Sequence, residues 1–172
     1  MSKYPILLGI TGASGSIYAK RFLLQARERG FAVELIVTKN GEAVLKHEGC
    51  EDILQNCGKI HKIDDFFAPP ATGGSCYSGM AVLPCSMGTL GRIAAGTSDN
   101  LLIRAADVCI KENRPLALVS REMPLSEIHL ENMLRLKRAG ATIIPACPHF
   151  YRHPKTMEDL ADTVVERVFS IF

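Results

Sequence analysis

Hydrophobic and polar positions along this chain follow two alternating rhythms. Short apolar runs recur at Tyr4–Ile10, Ala32–Val37, Met80–Leu83, Leu116–Val119 and Thr142–Ile144. Unbroken runs of this length, rich in Ile, Leu and Val, predict strands buried on both faces. Between them the apolar residues space out at helical intervals. Ser14–Arg29 carries Ile17, Phe22, Leu23 and Leu24 on its apolar side and stops at Gly30; Gly41–Gln55 places Val44, Leu45 and Ile53 inward. Cys85–Thr89 is a tight turn into a helix, Asp99–Asn113 is a helix with Asp99 as its N-cap, Leu125–Ala139 ends at Gly140, and Thr156–Phe169 is the last helix. The stretch from Asn56 to Gly79 keeps neither rhythm. It predicts a long loop with a short strand near Ile60, and long loops in compact domains are commonly functional.

Strands alternating with helices predict an α/β domain over residues 1–172, with a parallel sheet covered by helices on both faces. Ligands of such sheets bind beyond the carboxyl ends of the strands, so the turns that follow the strands hold the chemistry. The first turn reads Gly9-Ile10-Thr11-Gly12-Ala13-Ser14-Gly15-Ser16. Small residues ahead of a helix N-terminus predict a phosphate cradle. The spacing is GxxGxxG rather than GxGxxG, and the second strand ends in Thr38-Lys39 without an acid for an adenine ribose, which favours a mononucleotide over NAD. In the second turn, Ser86, Met87, Gly88 and Thr89 offer hydroxyls and N–H groups to the same ligand. Cys85 and Arg92 have six residues between them, one more than a phosphatase loop needs, so Cys85 is read as a small core residue.

Composition narrows the partners. Twenty basic against 18 acidic residues leave a net charge of +2, too balanced for a nucleic-acid binder that works by bulk electrostatics. No apolar window reaches the ~18 residues of a membrane span, and the start is read as the first strand of a cytoplasmic protein rather than a signal peptide. The six cysteines form no CxxC pair, and Cys85, Cys109 and Cys147 in particular are expected to be reduced, buried thiols. No metal-ligand cluster is evident, and no histidine stands in a catalytic triad; His129 and His149 are the two worth following.

Several blocks resemble the UbiX-type flavin prenyltransferases, within the Rossmann-like group that includes the flavin-binding cysteine decarboxylases. They are GITGASGSIYA, PCSMGTLGRIAAG, DNLLIRAADVCIKENRPL, SREMPLSEIHLENML and GATIIPACPHFY, in order along nearly the whole chain. The resemblance implies a Rossmann-like three-layer fold and transfer of a dimethylallyl group from dimethylallyl phosphate to N5 and C6 of reduced FMN. The product, prenylated FMN, serves a UbiD-type decarboxylase in aromatic acid or ubiquinone pathways. It also implies a large homo-oligomer, a dodecamer, with sites at subunit contacts. Gly12, Ala13 and Ser14 match the first FMN loop, Thr38 a flavin-contacting hydroxyl, Ser86 to Thr89 the second FMN loop, and Arg121 a further flavin contact. Lys111, Tyr151 and Arg167 match the prenyl-phosphate clamp, with Arg104 at its border. Glu48 and Glu122 match acids near the reacting centre, joined there by Ser14 and Lys111, and Phe66 stands where some relatives carry Trp to face the allyl group.

The chemistry suits these assignments. A departing phosphate needs fixed positive charge, a cation-like allyl group favours an aromatic wall, and an acid can move protons. Read singly, Lys111 and Arg167 are solvated helix charges, Glu122 is a cap for the helix that follows it, and Phe66 and Phe67 are packed loop residues. Two other functions compete. An FMN-dependent cysteine decarboxylase would need a catalytic His near the flavin, for which His47 is only a remote candidate, and a PxMNxxMW loop that is absent. A non-catalytic FMN carrier would not need a second phosphate clamp.

Overall fold

The computed structural model describes residues 4–55 and 57–172. Six parallel strands form one sheet in the order β3-β2-β1-β4-β5-β6. They are β1 (Ile6–Ile10), β2 (Val33–Val37), β3 (Ile60–His61), β4 (Gly79–Cys85), β5 (Leu116–Ser120) and β6 (Thr142–Pro145). The helices are α1 (Ser16–Glu28), α2 (Lys39–His47), α3 (Met87–Ala95), α4 (Leu101–Lys111), α5 (Glu127–Arg138) and α6 (Met157–Phe169). Alternation along each strand sorts the core into two layers. Ile6, Leu8 and Ile10 meet α1, α2 and α6 through Phe22, Leu45 and Val165, while Leu7, Met80 and Val82 meet α3 and α4 through Leu90, Leu102 and Cys109. This is the Rossmann-like arrangement, and its strand order reverses between β1 and β4, where such sheets open a crevice at their carboxyl ends.

The element order follows the hydrophobic pattern, and the departures have local causes. The helix expected over 41–55 stops at His47 because Gly49 takes a left-handed φ of 65°; Glu51–Leu54 is a separate 3₁₀ turn. β4 does not end before Pro84 but runs through it, where the register with β5 shifts between Val82 and Cys85 and no ladder N–H is demanded of proline. Asn100, not Asp99, caps α4, its side-chain oxygen accepting from Ile103 N at 3.0 Å, while Asp99 is held by Arg92 at 3.2 Å. Glu122 does not cap α5. Ser126 does, in a capping box closed by His129, and this gives that histidine a structural role. Leu24, expected in the core, is 44% exposed, and Cys147 is exposed while Cys85 and Cys109 are buried. Asn56, the start of the expected loop, lies outside the described residues. The rest of that stretch contains β3 and a 3₁₀ turn at Pro69–Ala71.

Close packing of α2 on β1 sets the geometry of the first turn. A Cβ added at Gly41 would stand 2.7 Å from Ile10 O, a backbone atom that cannot move aside. Gly41→Ala, which in an open helix stabilises by about 1 kcal/mol, should here destabilise by about 1–3 kcal/mol. Gly91→Ala in α3 is the control: its nearest neighbour would be Asn132 Nδ2 at 3.4 Å, and a small gain is expected. Urea denaturation of the two variants, read as opposite signs, checks the claim.

Candidate functional site

The carboxyl ends of β1 and β4 are tied together by Thr11. Its buried hydroxyl donates to Pro84 O at 2.8 Å and accepts from Ser86 N at 2.8 Å. This residue was not singled out in the sequence; its only signal is a hydroxyl directly after β1, inside the Gly-rich turn. Gly12 lies against the start of α2, so closely that a Cβ there would come within 2.5 Å of Asn40 Cβ. Thr38 N donates to Ile10 O at 3.0 Å, and Thr38 Oγ1 caps α2 by accepting from Gly41 N at 3.0 Å. First turn, Thr38 and second turn therefore share one rim.

The first turn is not an open phosphate cradle. Glu48 accepts from Gly15 N at 3.1 Å and from Ser16 N at 2.7 Å, so one carboxylate already holds the N-terminus of α1. A phosphate placed there would meet that negative charge. Partial burial alone would raise the Glu48 pKa, but the hydroxyls of Ser14 and Ser16 and the two N–H groups hold it below the usual carboxylate range. The sequence pattern could not reveal this, because Glu48 reaches α1 from the far end of α2.

The second turn is the more open of the two. Ser86 Oγ accepts from Thr89 N at 3.3 Å and donates to Thr89 Oγ1 at 3.1 Å, so the buried Thr89 hydroxyl props the cap instead of facing outward. Met87 and Gly88 follow in the first turn of α3, where N–H groups have no intrahelical acceptor. Nothing lies within 4 Å of a Cβ built on Gly88. Arg121, directly after β5, donates its backbone N–H to Cys85 O at 3.3 Å, and its side-chain Nε is buried with no hydrogen-bond partner. A buried cationic nitrogen without an acceptor is rare in a finished structure. Cys85 is fully enclosed, and burial pushes its thiol up to about 12, only partly offset by the Leu90 N–H, which removes it as a nucleophile. Beside Arg121, Glu122 is exposed, with Oε1 accepting from Met123 N at 3.1 Å.

The remaining expected residues fall into separate places. Tyr151 and Arg167 line one cavity of about 570 Å³ along the free edge of β6, together with His149, Arg152 and Glu166. Lys111 is not among its lining residues. It ends α4, on the opposite face of the sheet from α6, and pairs with its neighbour Glu112. Arg104, also on α4, is engaged by Ala71 O at 3.1 Å and Asp107 Oδ2 at 2.7 Å. Phe66 and Phe67, in the loop after β3, are 44% and 99% exposed. One chain thus assembles the two turns, Thr38, Glu48, Arg121 and Glu122 at the strand tips, and sets Tyr151 with Arg167 elsewhere; among the described residues no hydrogen bond or ion pair joins Lys111, Arg104 or Phe66 to either group.

A flavin mononucleotide fits the strand tips. Arg121 Nε lacks an acceptor, and the first turn of α3 offers N–H groups beside it. Among the described residues no three His, Cys, Asp or Glu side chains converge as metal ligands, and no helix is long and apolar enough to cross a membrane.

Known proteins extend this picture. The sequence profile of the Flavoprotein family matches residues 1–169. A flavin prenyltransferase UbiX of Halalkalibacterium halodurans is 46% identical over 171 residues, spanning 92% of this chain and 83% of that protein. The crystal structure of AnUbiX (PadA1) in complex with FMN and dimethylallyl pyrophosphate superposes with a TM-score of 0.93 at 40% identity, covering 99% of this chain and 92% of that one. A dodecameric FMN-dependent UbiX-like decarboxylase from Escherichia coli O157:H7 gives 0.91 at 39% identity, covering 96% and 93%.

Proposed function

Since the chain belongs to the Flavoprotein family, we propose that it is a flavin prenyltransferase, joining the dimethylallyl group of dimethylallyl phosphate to N5 and C6 of reduced FMN. The observation that carries this reading is the buried, unpartnered Arg121 Nε beside the open first turn of α3, a ready-made seat for an anionic cofactor at the strand tips. Arg121, Ser86, Met87 and Gly88 hold the flavin's phosphate side, with Thr89 bracing the Ser86 cap. Gly12, Ala13, Ser14 and Thr38 take the remaining flavin contacts. The reduced flavin supplies the electron-rich N5 and C6. Glu48 and Glu122 handle the protons, Glu48 as the ionised carboxylate, fixed beside Ser14, that accepts one.

The donor phosphate falls to Tyr151 and Arg167, with Lys111, Arg104 and Phe66 completing the site from a neighbouring copy. The placement of Lys111 and Tyr151 in separate parts of one chain supports this arrangement. The working protein is then a homo-oligomer, dodecameric like its Escherichia coli relative, acting in the cytoplasm and passing prenylated FMN to a UbiD-type decarboxylase. The cysteine decarboxylase reading has less support, since His47 is exposed at the end of α2.

The test is anaerobic incubation with reduced FMN and dimethylallyl phosphate or diphosphate, followed by mass spectrometry of the flavin. A C5H8 gain is expected, and unaltered flavin with both donors would refute the reading. In the same assay, co-expressed Lys111→Ala and Tyr151→Phe variants should recover activity that neither has alone; no recovery removes the shared site.

A further inference from the structure

The segment from Ala146 to Thr156 links β6 to α6 with almost no regular structure. Its ends are tied down, Ala146 N donating to Ser120 O at 2.8 Å and Lys155 N and Thr156 N to Asp159 Oδ2 at 2.9 and 3.1 Å, while around Tyr151 the backbone donors are His149 N, to Thr163 Oγ1 at 3.3 Å, and His153 N, to Phe150 O at 2.9 Å. Tyr151 stands in this segment 71% exposed. An aromatic side chain so placed samples several rotamers unless something holds the ring, and a phenol that must meet a phosphate loses affinity for each rotamer that misses it.

His149 packs flat against the ring. The two rings stack with centroids 4.1 Å apart and planes 16° from parallel. His149 Nδ1 is enclosed and has no hydrogen-bond partner, so ring contact, not pairing at that nitrogen, accounts for the imidazole's place. Arg152, fixed by Glu166 at 2.6 Å, adds a second contact, its guanidinium carbon 6.0 Å from the Tyr151 centroid. His149, Tyr151 and Arg167 line the same cavity.

We propose that His149 is a positioning residue for the prenyl donor: by stacking on Tyr151 it pre-sets the phenol that, with Arg167, receives the donor's phosphate. This rests on the prenyltransferase reading above. His149 touches neither flavin nor donor in this account, and it acts through Tyr151 alone.

The experiment measures Kd for dimethylallyl phosphate by calorimetry on FMN-loaded protein, and KM and kcat anaerobically. The proteins are wild type, His149→Ala and His149→Phe, each with Tyr151 intact and with Tyr151→Ala. His149→Ala is expected to raise Kd and KM roughly two- to tenfold, the size a stacked aromatic pair supports, with kcat within twofold. His149→Phe keeps a flat ring on Tyr151 and should recover most of the loss. Beside Tyr151→Ala, the His149 changes should be silent. If His149→Ala does not fold, His149→Leu, which keeps volume without a flat ring, carries the same expectation. Unchanged KM, a fall confined to kcat, equal losses from Ala and Phe, or losses that persist beside Tyr151→Ala each overturn the proposal. A wild type that neither binds nor transfers the donor overturns the prenyltransferase reading and this inference with it; a wild type that does both but is indifferent to His149 overturns this inference alone.

Discussion

Glu48→Gln is expected to lower the rate of prenyl transfer by roughly 10²- to 10⁴-fold while the protein still folds and binds FMN. Of the two acids at the strand tips, Glu48 is the one fixed on all sides, by Gly15 N at 3.1 Å, Ser16 N at 2.7 Å and the hydroxyls of Ser14 and Ser16. The amide keeps the shape and one accepting oxygen but cannot take a proton. Its stability should fall by about 1–3 kcal/mol, the worth of hydrogen bonds to a charged acceptor. The pH dependence gives this loss a sign. The Glu48 pKa in the folded chain is depressed, so its contribution is fully present above the unfolded carboxylate value of about 4.3 and is lost as pH falls through the lower folded value. Wild type and variant should therefore differ most near neutrality and converge in acid. Urea titrations at several pH values and single-turnover assays read the two effects separately. Activity within threefold of wild type would remove Glu48 from the proton chemistry.

Arg121→Met is expected to weaken FMN binding roughly 10- to 150-fold, the range for a hydrogen bond to a charged group. The second half of this prediction has the opposite sign. Without ligand, Arg121 Nε is buried and unpartnered, a cost the folded chain bears. Methionine fills similar space without that cost, so the ligand-free variant should be as stable as wild type or more so, by up to about 1 kcal/mol. Thermal melts with and without FMN separate the two. Wild type should gain a large ligand-dependent rise in Tm, and the variant a small one from an equal or higher starting point. An ordinary structural arginine would lose stability in both conditions, and an FMN affinity within threefold of wild type would sink the assignment.

Much of the architecture was legible along the chain because its signals are local. The apolar runs at Tyr4–Ile10 and Leu116–Val119 appear as β1 and β5, and Gly30 and Gly140 mark the ends of α1 and α5, each with positive φ. Pattern and structure part where one local signal outweighs another. Gly49 stops a helix that periodicity alone would continue, and β4 passes through Pro84, a strand-ending signal that a register shift absorbs. The resemblance blocks named the site residues, but residue identity does not say what else competes for a donor. The Gly-rich turn reads as a phosphate cradle until Glu48 is seen on its N–H groups.

The sequence by itself determined the order and type of the elements, the two-sided burial of the sheet and the family, because periodicities of two and 3.6 residues and contiguous motifs are written within a few positions of one another. Only the tertiary structure decided which of those residues share a space. Thr11 meets Ser86 across 75 positions and Glu48 meets Ser16 across 32, while Lys111 and Tyr151, expected in one clamp, lie in separate parts of the chain. Such meetings follow from strand order and register, which are set by the packing of whole layers, and no local pattern of hydrophobic and polar positions encodes them.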